Sequence, residues 1–303
     1  MRRLWAWNPP ECGATLRDGI NNRFIENGSV FVVSDDRQAR DTSSSREFYE
    51  YYSRQSESPL ALSRSRNIFD VVLSLFDRGE HAAPLRVLDV GCNAGTQSMV
   101  WAEGGHRVYG LDINAPLVAL AKARAVERSL AIDFQVGTAE HLPFPDASMD
   151  VCLAPELLEH VPDWERCLNE FSRVLRPGGV LFVTTTNWLC PKQSEYELPL
   201  YSWYPAPLKR HYERLAVTTR PELANHATYP AVHWFSYFGL RRYLANFGFL
   251  CKDRFDVMPL EEAAFHKRAL VRSIRVLPPL RWAAHLMTPY TYLVGKKESS
   301  GLG

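Results

Sequence analysis

The chain has 303 residues, of which 46% are hydrophobic, and its formal net charge is +1. This length and composition support one large buried core with a smaller accessory region, and they exclude a disordered protein. A charge near zero provides no general basic field, so nucleic acid is not expected as a partner. The six cysteines include no C-x-x-C pair, which favours a reducing, cytoplasmic compartment. No apolar run reaches the ~18 residues of a membrane span.

Residues 1–45 are predicted to form a small, β-rich N-terminal cap. The segment 24–33 is typical of a hairpin around Asn27-Gly28, since that pair supplies the positive φ angles of a tight turn. With Glu11-Cys12-Gly13 ahead of it, the unit faintly resembles a degenerate zinc ribbon. The other ligands of such a module are missing, so no metal is expected.

Residues 87–95, with the sequence VLDVGCNAG, carry the most informative pattern in the chain. A short apolar run typical of a buried strand contains Asp89, and a turn marked by Gly91 and Gly95 follows it. A helix is predicted to open at Thr96. Such a strand, turn and helix can bring main-chain N–H groups against a polar ligand.

A second predicted strand, over residues 106–112, ends in Asp112. A carboxylate at that position can accept hydrogen bonds from both hydroxyls of a ribose, which indicates a nucleoside-containing cofactor. A dinucleotide-binding turn requires G-x-G-x-x-G, whereas Gly91 and Gly95 stand four residues apart. The spacing therefore favours S-adenosylmethionine over NAD(P).

From this point the chain resembles the class I S-adenosylmethionine-dependent methyltransferases, in the broad subgroup of quinone, natural-product and glycan methylases. Four further segments carry the resemblance in order, over residues 136–144, 149–153, 158–163 and 173–180. The alternation of apolar strands and helices predicts an α/β, Rossmann-like sheet that is mostly parallel. Its strands are expected near residues 85–90, 106–112, 132–136, 149–154 and 180–186, with an antiparallel last strand near 288–297.

The resemblance implies that residues 46–186 form the S-adenosylmethionine-binding core and that residues 235–303 complete the fold. Two positions depart from the family pattern: Asn93 replaces a usual glycine, and Thr138 replaces a usual aspartate. Asparagine tolerates positive φ, and a threonine hydroxyl can still hydrogen-bond, with less charge assistance. The expected cofactor-binding residues are Asp89, Gly91, Asn93, Gly95, Asp112, Ile113, Thr138 and Ala139.

Residues 187–234 interrupt the alternation and are rich in proline and aromatic residues. An insertion of this length in a compact domain is typically a functional loop or lid, and its place beyond the fifth strand puts it over the transferred methyl group. Aromatic faces can stack on sugars and arginines can bind carboxylates, although ordinary packing is the alternative. The predicted acceptor-binding residues are Trp203, Tyr204, Arg210, His211 and Trp234.

His160 is the predicted catalytic base, because it follows the fourth strand and an imidazole titrates close to neutral pH. In sugar O-methyltransferases that the chain resembles, a histidine in the matching segment has this role. A structural role for His160 is the alternative, and three histidines of the insertion, His211, His226 and His233, compete for the catalytic one.

Residues 264–297 contain seven Lys or Arg and no Asp or Glu, interleaved with leucine, tryptophan and methionine. Such a segment can lie on an anionic membrane surface, which predicts a cytoplasmic protein with peripheral contact to a membrane. A solvated basic face packed on the core is the alternative. The sequence leaves the oligomeric state open.

Three functions are compatible with these patterns. The first is O-methylation of a small-molecule, glycan or lipid-linked hydroxyl. The second is C-methylation of a prenylated quinone precursor, which the 142–144 and 159–160 motifs also allow. The third is a non-catalytic paralogue that keeps the cofactor-binding fold, suggested by Asn93 and Thr138.

Overall fold

The structure is a computed structural model that describes residues 23–26, 29–32, 56–76, 83–224, 230–261 and 263–298. The chain divides into two compact units, Met1–Ser44 and Ser45–Gly303. In the first unit, β1 (Arg23–Glu26) pairs with β2 (Ser29–Val32) in an antiparallel hairpin. The predicted hairpin therefore forms, with two residues connecting its strands. The Glu11-Cys12-Gly13 motif lies outside the described residues.

The second unit is built on a seven-stranded sheet. Its strands are β3 (Arg86–Val90), β4 (Arg107–Asp112), β5 (Ile132–Val136), β6 (Met149–Pro155), β7 (Leu175–Thr186), β8 (Phe249–Lys252) and β9 (Tyr290–Lys297). The order across the sheet is β5-β4-β3-β6-β7-β9-β8. The first five strands in this order, β5-β4-β3-β6-β7, pair in parallel with their neighbours. Strand β9 pairs antiparallel with both β7 and β8. The predicted α/β class and the antiparallel last strand are confirmed.

The start of β7 differs from the prediction, which placed it at residue 180. The strand begins at Leu175 because Leu175 already pairs with Met149, and the register shifts between Met149 and Val151. Gly178 absorbs this irregularity with a φ of 78°, a conformation that other residues rarely adopt.

Two apolar clusters cover the two faces of the sheet, because successive strand residues point to opposite sides. On one face, Leu88 packs with Phe171 of a flanking helix and with Leu244 of another. On the other face, Val87 packs with Val72 and with the fully buried Trp101. Both faces are therefore covered by helices, as expected for a parallel sheet.

The described part of the second unit has five α-helices between residues 59 and 218, the last of which follows β7. They are α1 (Pro59–Leu73), α2 (Thr96–Glu103), α3 (Ala115–Glu127), α4 (Trp164–Val174) and α5 (Ala206–Thr218). Side-chain caps fix the starts of three of them: Ser58, Asn114 and Asp163 each accept a backbone N–H of the first turn.

Four more helices follow, α6 (Tyr237–Ala245), α7 (Arg254–Val257), α8 (Phe265–Val276) and α9 (Pro278–Leu286). Among the described residues, none of these helices, nor any earlier one, is long and apolar enough to cross a membrane.

Candidate active site

The turn after β3 has the left-handed geometry that its glycines predict. Gly91 has a φ of 75°, Gly95 a φ of 80°, and Asn93 adopts 48°, so asparagine does accept the strained position. The N–H groups of Gly91 and Cys92 donate to the carbonyl of Leu111, at 2.7 and 3.1 Å. These bonds join the turn to the end of β4.

Gly95 is restricted by space as well as by conformation. A Cβ at Gly95 would lie 2.8 Å from Phe134 Cζ and 3.0 Å from Ala121 Cβ. A β-carbon at Gly91 would lie 3.1 Å from Leu157 Cδ1. The side chains of Phe134, Ala121 and Leu157 therefore pack closely against the turn. The turn lies at the carboxyl edge of the sheet, where parallel α/β folds bind ligands.

Asp89 is the buried carboxylate of the site. Its side chain is 1% exposed, and Oδ2 accepts a hydrogen bond of 2.6 Å from Ser98 Oγ on α2. Oδ1 is buried without a hydrogen-bond partner among the described residues. Burial, with a smaller contribution from the nearby Asp112, raises the pKa of Asp89 to about 7, although the hydrogen bond from Ser98 opposes this shift. A buried acceptor left unsatisfied indicates a ligand that donates to it.

Asp112 organises the turn. Its Oδ2 accepts the N–H of Asn93 at 2.9 Å, and its Oδ1 accepts the N–H of Asn114 at 2.8 Å. Burial raises the pKa of Asp112, although the backbone N–H donors oppose that effect. Each carboxylate oxygen has a second lone pair, so the side chain can still accept bonds from a ribose.

The remaining predicted cofactor residues adjoin Asp112. Ile113 follows it and is 53% exposed. The N–H of Gly137 donates to the carbonyl of Asp112 at 3.0 Å, which brings the half-buried Thr138 and the buried Ala139 beside the β4 end. The structure thus groups all the predicted cofactor-binding residues around two adjacent strand ends.

A cavity of about 540 Å³ opens next to Asp89, Gly91 and Asn93. Sequence reasoning missed its other walls, which come from parts of the chain far apart in sequence. They include Arg64, Ser65, Asn67 and Ile68 of α1, Glu156 after β6, Phe182 and Thr184 of β7, Arg254, Val257 and Met258 at α7, and Tyr290 and Tyr292 of β9.

A buried ionic network holds the α7 wall. Asp253 is fully buried, caps α7, and accepts hydrogen bonds from Arg281 Nε at 2.8 Å and His285 Nε2 at 3.0 Å. Burial alone would raise the pKa of Asp253, but the bonds from His285 and Arg281 outweigh it, so the pKa lies below its usual value. Arg275 donates to the carbonyl of Met258 at 2.9 Å.

His160 does not line this cavity. It is half-buried, and its backbone N–H donates to the carbonyl of Leu157 at 3.0 Å. Its neighbour Glu159 is 1% exposed and accepts a hydrogen bond of 2.7 Å from Thr185 Oγ1. Burial raises the pKa of Glu159 to about 8. No described group of three or more His, Cys, Asp or Glu could hold a metal ion.

The aromatic residues of the insertion pack mainly on one another. Tyr196 and Tyr201 stack with centroids 4.0 Å apart, and Trp234 lies 5.6 Å from Tyr201. Lys209 Nζ lies 4.6 Å from the Trp234 ring. Tyr204 contacts the same cluster. No residue of 187–224 or 230–234 lines the cavity.

The other three predicted acceptor residues are exposed. Trp203 is 54% exposed and donates its indole N–H to the carbonyl of Leu189 at 3.2 Å. Arg210 and His211 lie on the exposed side of α5. Their role in acceptor binding stays a prediction. His226 lies outside the described residues.

Residues 88–183 match a family model described as a methyltransferase domain. The match begins inside β3 and ends inside β7, so it contains the turn, Asp112, Thr138 and the strand end at Glu156. This part of the chain is therefore similar to methyltransferase domains.

Curated relatives match the chain over part of their own length. A ubiquinone biosynthesis O-methyltransferase of Chelativorans sp. (strain BNC1) is 36% identical over 124 residues, which are 40% of this chain and 49% of that protein. A malonyl-[acyl-carrier protein] O-methyltransferase of Yersinia pestis is 35% identical over 111 residues, 37% of this chain and 40% of that protein. The chain thus spans about half the length of the curated relatives it matches, or less.

Solved structures are similar to the chain at low identity. The YcgJ protein from Bacillus subtilis is 18% identical, with a TM-score of 0.49 over 78% of this chain and 99% of that one. A geranyl diphosphate methyltransferase in complex with GPP and sinefungin is 17% identical, with a TM-score of 0.48 over 78% of each chain.

Proposed function

We propose that the protein is an S-adenosylmethionine-dependent O-methyltransferase that acts on a hydroxyl of a small-molecule, glycan or lipid-linked acceptor. The observation that carries the proposal is the buried Oδ1 of Asp89, which has no hydrogen-bond partner among the described residues and lies beside a glycine turn and a cavity. The O-methyltransferases among the relatives support an oxygen acceptor.

The residues present fit S-adenosylmethionine. Asp89 Oδ1 would accept from its ammonium group, Asp112 would accept from the ribose hydroxyls, and Thr138 and Ala139 would flank the adenine. When bound, S-adenosylmethionine supplies a methyl carbon on a sulfonium centre, which an oxygen can attack in line. The chain's own contribution is to hold the acceptor on that axis, and positioning of this kind can contribute ~7–11 kcal/mol.

The cavity supports an acceptor with an apolar or aromatic body. Val71, Phe182 and Val257 supply apolar surface, whereas Tyr290 and Asn67 supply hydrogen-bonding groups. A mainly apolar pocket with few polar groups is typical of small-molecule sites. These residues belong to α1, β7, α7 and β9.

Binding and transfer are tested separately. Calorimetry with S-adenosylmethionine and its demethylated product should give micromolar dissociation constants, equivalent to about −8 kcal/mol. Transfer is measured by mass spectrometry with an alkyl catechol as the hydroxyl probe and malonyl-coenzyme A as the carboxylate probe. Methylation on a ring carbon would favour the quinone C-methyltransferase, and binding without transfer to any acceptor would favour the non-catalytic paralogue.

We also infer that α8 and α9 rest on an anionic membrane surface. Phe265 is 81% exposed, Val276 75%, Trp282 51% and Met287 83%. At helical spacing, Phe265, Arg272 and Val276 share one face of α8. An exposed apolar face beside cations is typical of a helix that lies in a bilayer interface.

Fewer cations are available for this contact than the seven Lys and Arg residues of segment 264–297. Arg275 and Arg281 bond to α7 and its cap, and Lys296 and Lys297 donate to backbone carbonyls of the core. Lys267, Arg268 and Arg272 are left on α8. At ~1 kcal/mol per cation they add modestly to the apolar contribution.

Vesicle sedimentation tests the membrane contact. The wild type should pellet with vesicles containing phosphatidylserine, and Phe265→Ser with Trp282→Ser should reduce the bound fraction about tenfold. Val126→Ser is the matched control, since Val126 is 78% exposed on α3. Equal loss in the control, or no binding by the wild type, would contradict the inference.

A further inference from the structure

Glu156 occupies a backbone conformation that glutamate rarely adopts. Its φ is +52°, and it follows directly on the carboxyl end of β6. Its N–H donates to the carbonyl of Thr184 at 2.8 Å, so the neighbouring strand β7 holds the backbone in place. Left-handed residues other than glycine are sterically disfavoured, and such residues cluster at functional sites.

The side chain of Glu156 belongs to the cavity. The five positive-φ residues other than glycine in the described chain are Asn93, Ser129, Ala147, Glu156 and Leu200, and of these Asn93 and Glu156 line it. The Glu156 side chain is 51% exposed, and its Oε1 lies 3.8 Å from Arg64 Nη1, too far for a hydrogen bond. The carboxylate is therefore accessible to an acceptor held in the cavity.

Several charged and titratable groups lie near Glu156. Arg64 approaches from α1, and Tyr290 of β9 lies close enough for the Glu156 charge to raise the pKa of its hydroxyl, which burial also raises. Burial and then the charge of Glu156 raise the pKa of Glu195, from the insertion. Burial raises the pKa of Glu159, from the same loop as Glu156, and the charges of Glu195 and Glu156 add smaller increases. Asp89 lines the same cavity.

We propose that Glu156, and not His160, takes the proton of the acceptor hydroxyl. This inference rests on the proposed O-methyltransferase function. As the acceptor oxygen bonds to the methyl carbon, the carbon–sulfur bond breaks and its electron pair stays on sulfur. The hydroxyl proton moves to Glu156 Oε1 or Oε2. The positive sulfonium and the negative carboxylate both become neutral, so charge balances.

The strained backbone gives the proposal a test that needs no acceptor. Glu156→Gly removes the steric conflict at φ +52°, so the melting temperature should rise by about 1–4 °C. Ala147→Gly is the control, because Ala147 has a φ of 50°, is exposed and lies away from the cavity. If Glu156→Gly lowers the melting temperature while Ala147→Gly raises it, the side chain stabilises the loop and the proposal is wrong.

The catalytic test uses the alkyl catechol at saturating S-adenosylmethionine. Glu156→Gln and Glu156→Gly should each lower single-turnover methyl transfer by about 10²-fold or more, with the calorimetric cofactor affinity unchanged within threefold. Ala147→Gly should keep the wild-type rate. Formate should restore part of the activity of Glu156→Gly, because it can occupy the vacated position and accept the proton.

The pH profile separates proton transfer from packing. The wild-type rate should fall as the pH is lowered, since a protonated carboxyl cannot act as a base, and the ratio of wild-type to Glu156→Gln rates should fall with it. Asp89 titrates in both proteins, and its effect on the rate cancels in the ratio because the charge of Glu156 is not among the causes of its pKa shift. A wild-type rate in Glu156→Gln with a large loss in His160→Ala would overturn the proposal. A wild type that transfers no methyl group to the catechol would contradict the proposed hydroxyl chemistry itself.

Discussion

The turn after β3 and the insertion after β7 are both rich in buried contacts, but they are organised differently. The turn is joined to Asp112, Leu111 and Ser98 by hydrogen bonds and still leaves Asp89 Oδ1 without a described partner. The insertion buries Tyr196 and Tyr201 in an aromatic cluster of its own. Tyr196 Oη and Trp234 Nε1 of the insertion also lack a described partner, but only Asp89 of these three borders the cavity. Aromatic composition therefore indicates packing as readily as binding, whereas an unsatisfied buried carboxylate that borders a cavity favours a ligand.

Gly95→Ala should have the largest effect on the turn. A methyl group there would meet Phe134 Cζ at 2.8 Å in addition to the φ of 80°, so we expect a loss of about 3 kcal/mol or more in the free energy of unfolding. Gly105→Ala is the matched control, since Gly105 has a φ of 83° with nothing within 4 Å, and should lose about 1 kcal/mol. Urea unfolding measures both, and equal losses would show that the turn is not tightly packed.

Trp234→Ala tests the packing of the insertion. Trp234 contacts Tyr201 and Lys209, so its truncation should cost about 2–4 kcal/mol of unfolding free energy. Trp203→Ala, at a 54% exposed site, should cost less than about 1 kcal/mol. If Trp203 binds the acceptor, its variant should instead raise KM for the catechol probe. A Trp203 variant with unchanged KM would remove that residue from the acceptor site.

Asp89→Asn should stabilise the protein and weaken cofactor binding. The folded pKa of Asp89 is about 7 against an ordinary 3.8, so its contribution to stability is complete below pH 4 and is lost as the pH rises through 7. At pH 8 the variant should gain about 1–4 kcal/mol over the wild type, and at pH 4 little. Urea unfolding at both pH values measures the difference.

The same variant tests the ligand role of Asp89. A bound ammonium favours the ionised carboxylate, so the wild-type affinity for S-adenosylmethionine should increase as the pH rises through about 7. Asp89→Asn should bind about tenfold or more weakly at pH 8. An affinity that is the same in both proteins at every pH would place the ammonium elsewhere.

Substitution of Thr138 should have the smallest effect. The family pattern implies an aspartate there, so Thr138→Asp should tighten S-adenosylmethionine binding about threefold to tenfold through a charged acceptor. Thr138→Ala should weaken it only about threefold. Calorimetry measures both changes, and a weaker Thr138→Asp would show that the adenine does not lie beside this residue.

Local patterns were enough to predict the cofactor side of the site. The strands ending at Asp89 and Asp112, the turn and the helix at Thr96 depend on residues close in sequence, and the structure has them within two residues of the predicted bounds. The start of β7 was missed because its pairing with Met149 involves a register shift, which periodicity does not reveal.

The acceptor side could not be predicted in the same way. The cavity brings together Arg64, Glu156, Arg254 and Tyr290. The first and the last of these lie more than two hundred residues apart in the sequence. The position of Glu156 directly after a buried strand was visible, but its positive φ was not, because it depends on the bond to Thr184. In the insertion, the same aromatic residues suit a lid and a packed cluster equally well.

The position of β9 also affects how the protein folds during synthesis. This strand is made after all the other strands of the sheet, yet it lies between β7 and β8, and β8 has no other ladder partner in the described sheet. Tyr290 and Tyr292 of β9 also line the cavity. A nascent chain that lacks β9 therefore exposes one edge of β7 to other strands, which is a hazard for aggregation. The second unit can complete its cavity only after translation has passed residue 297.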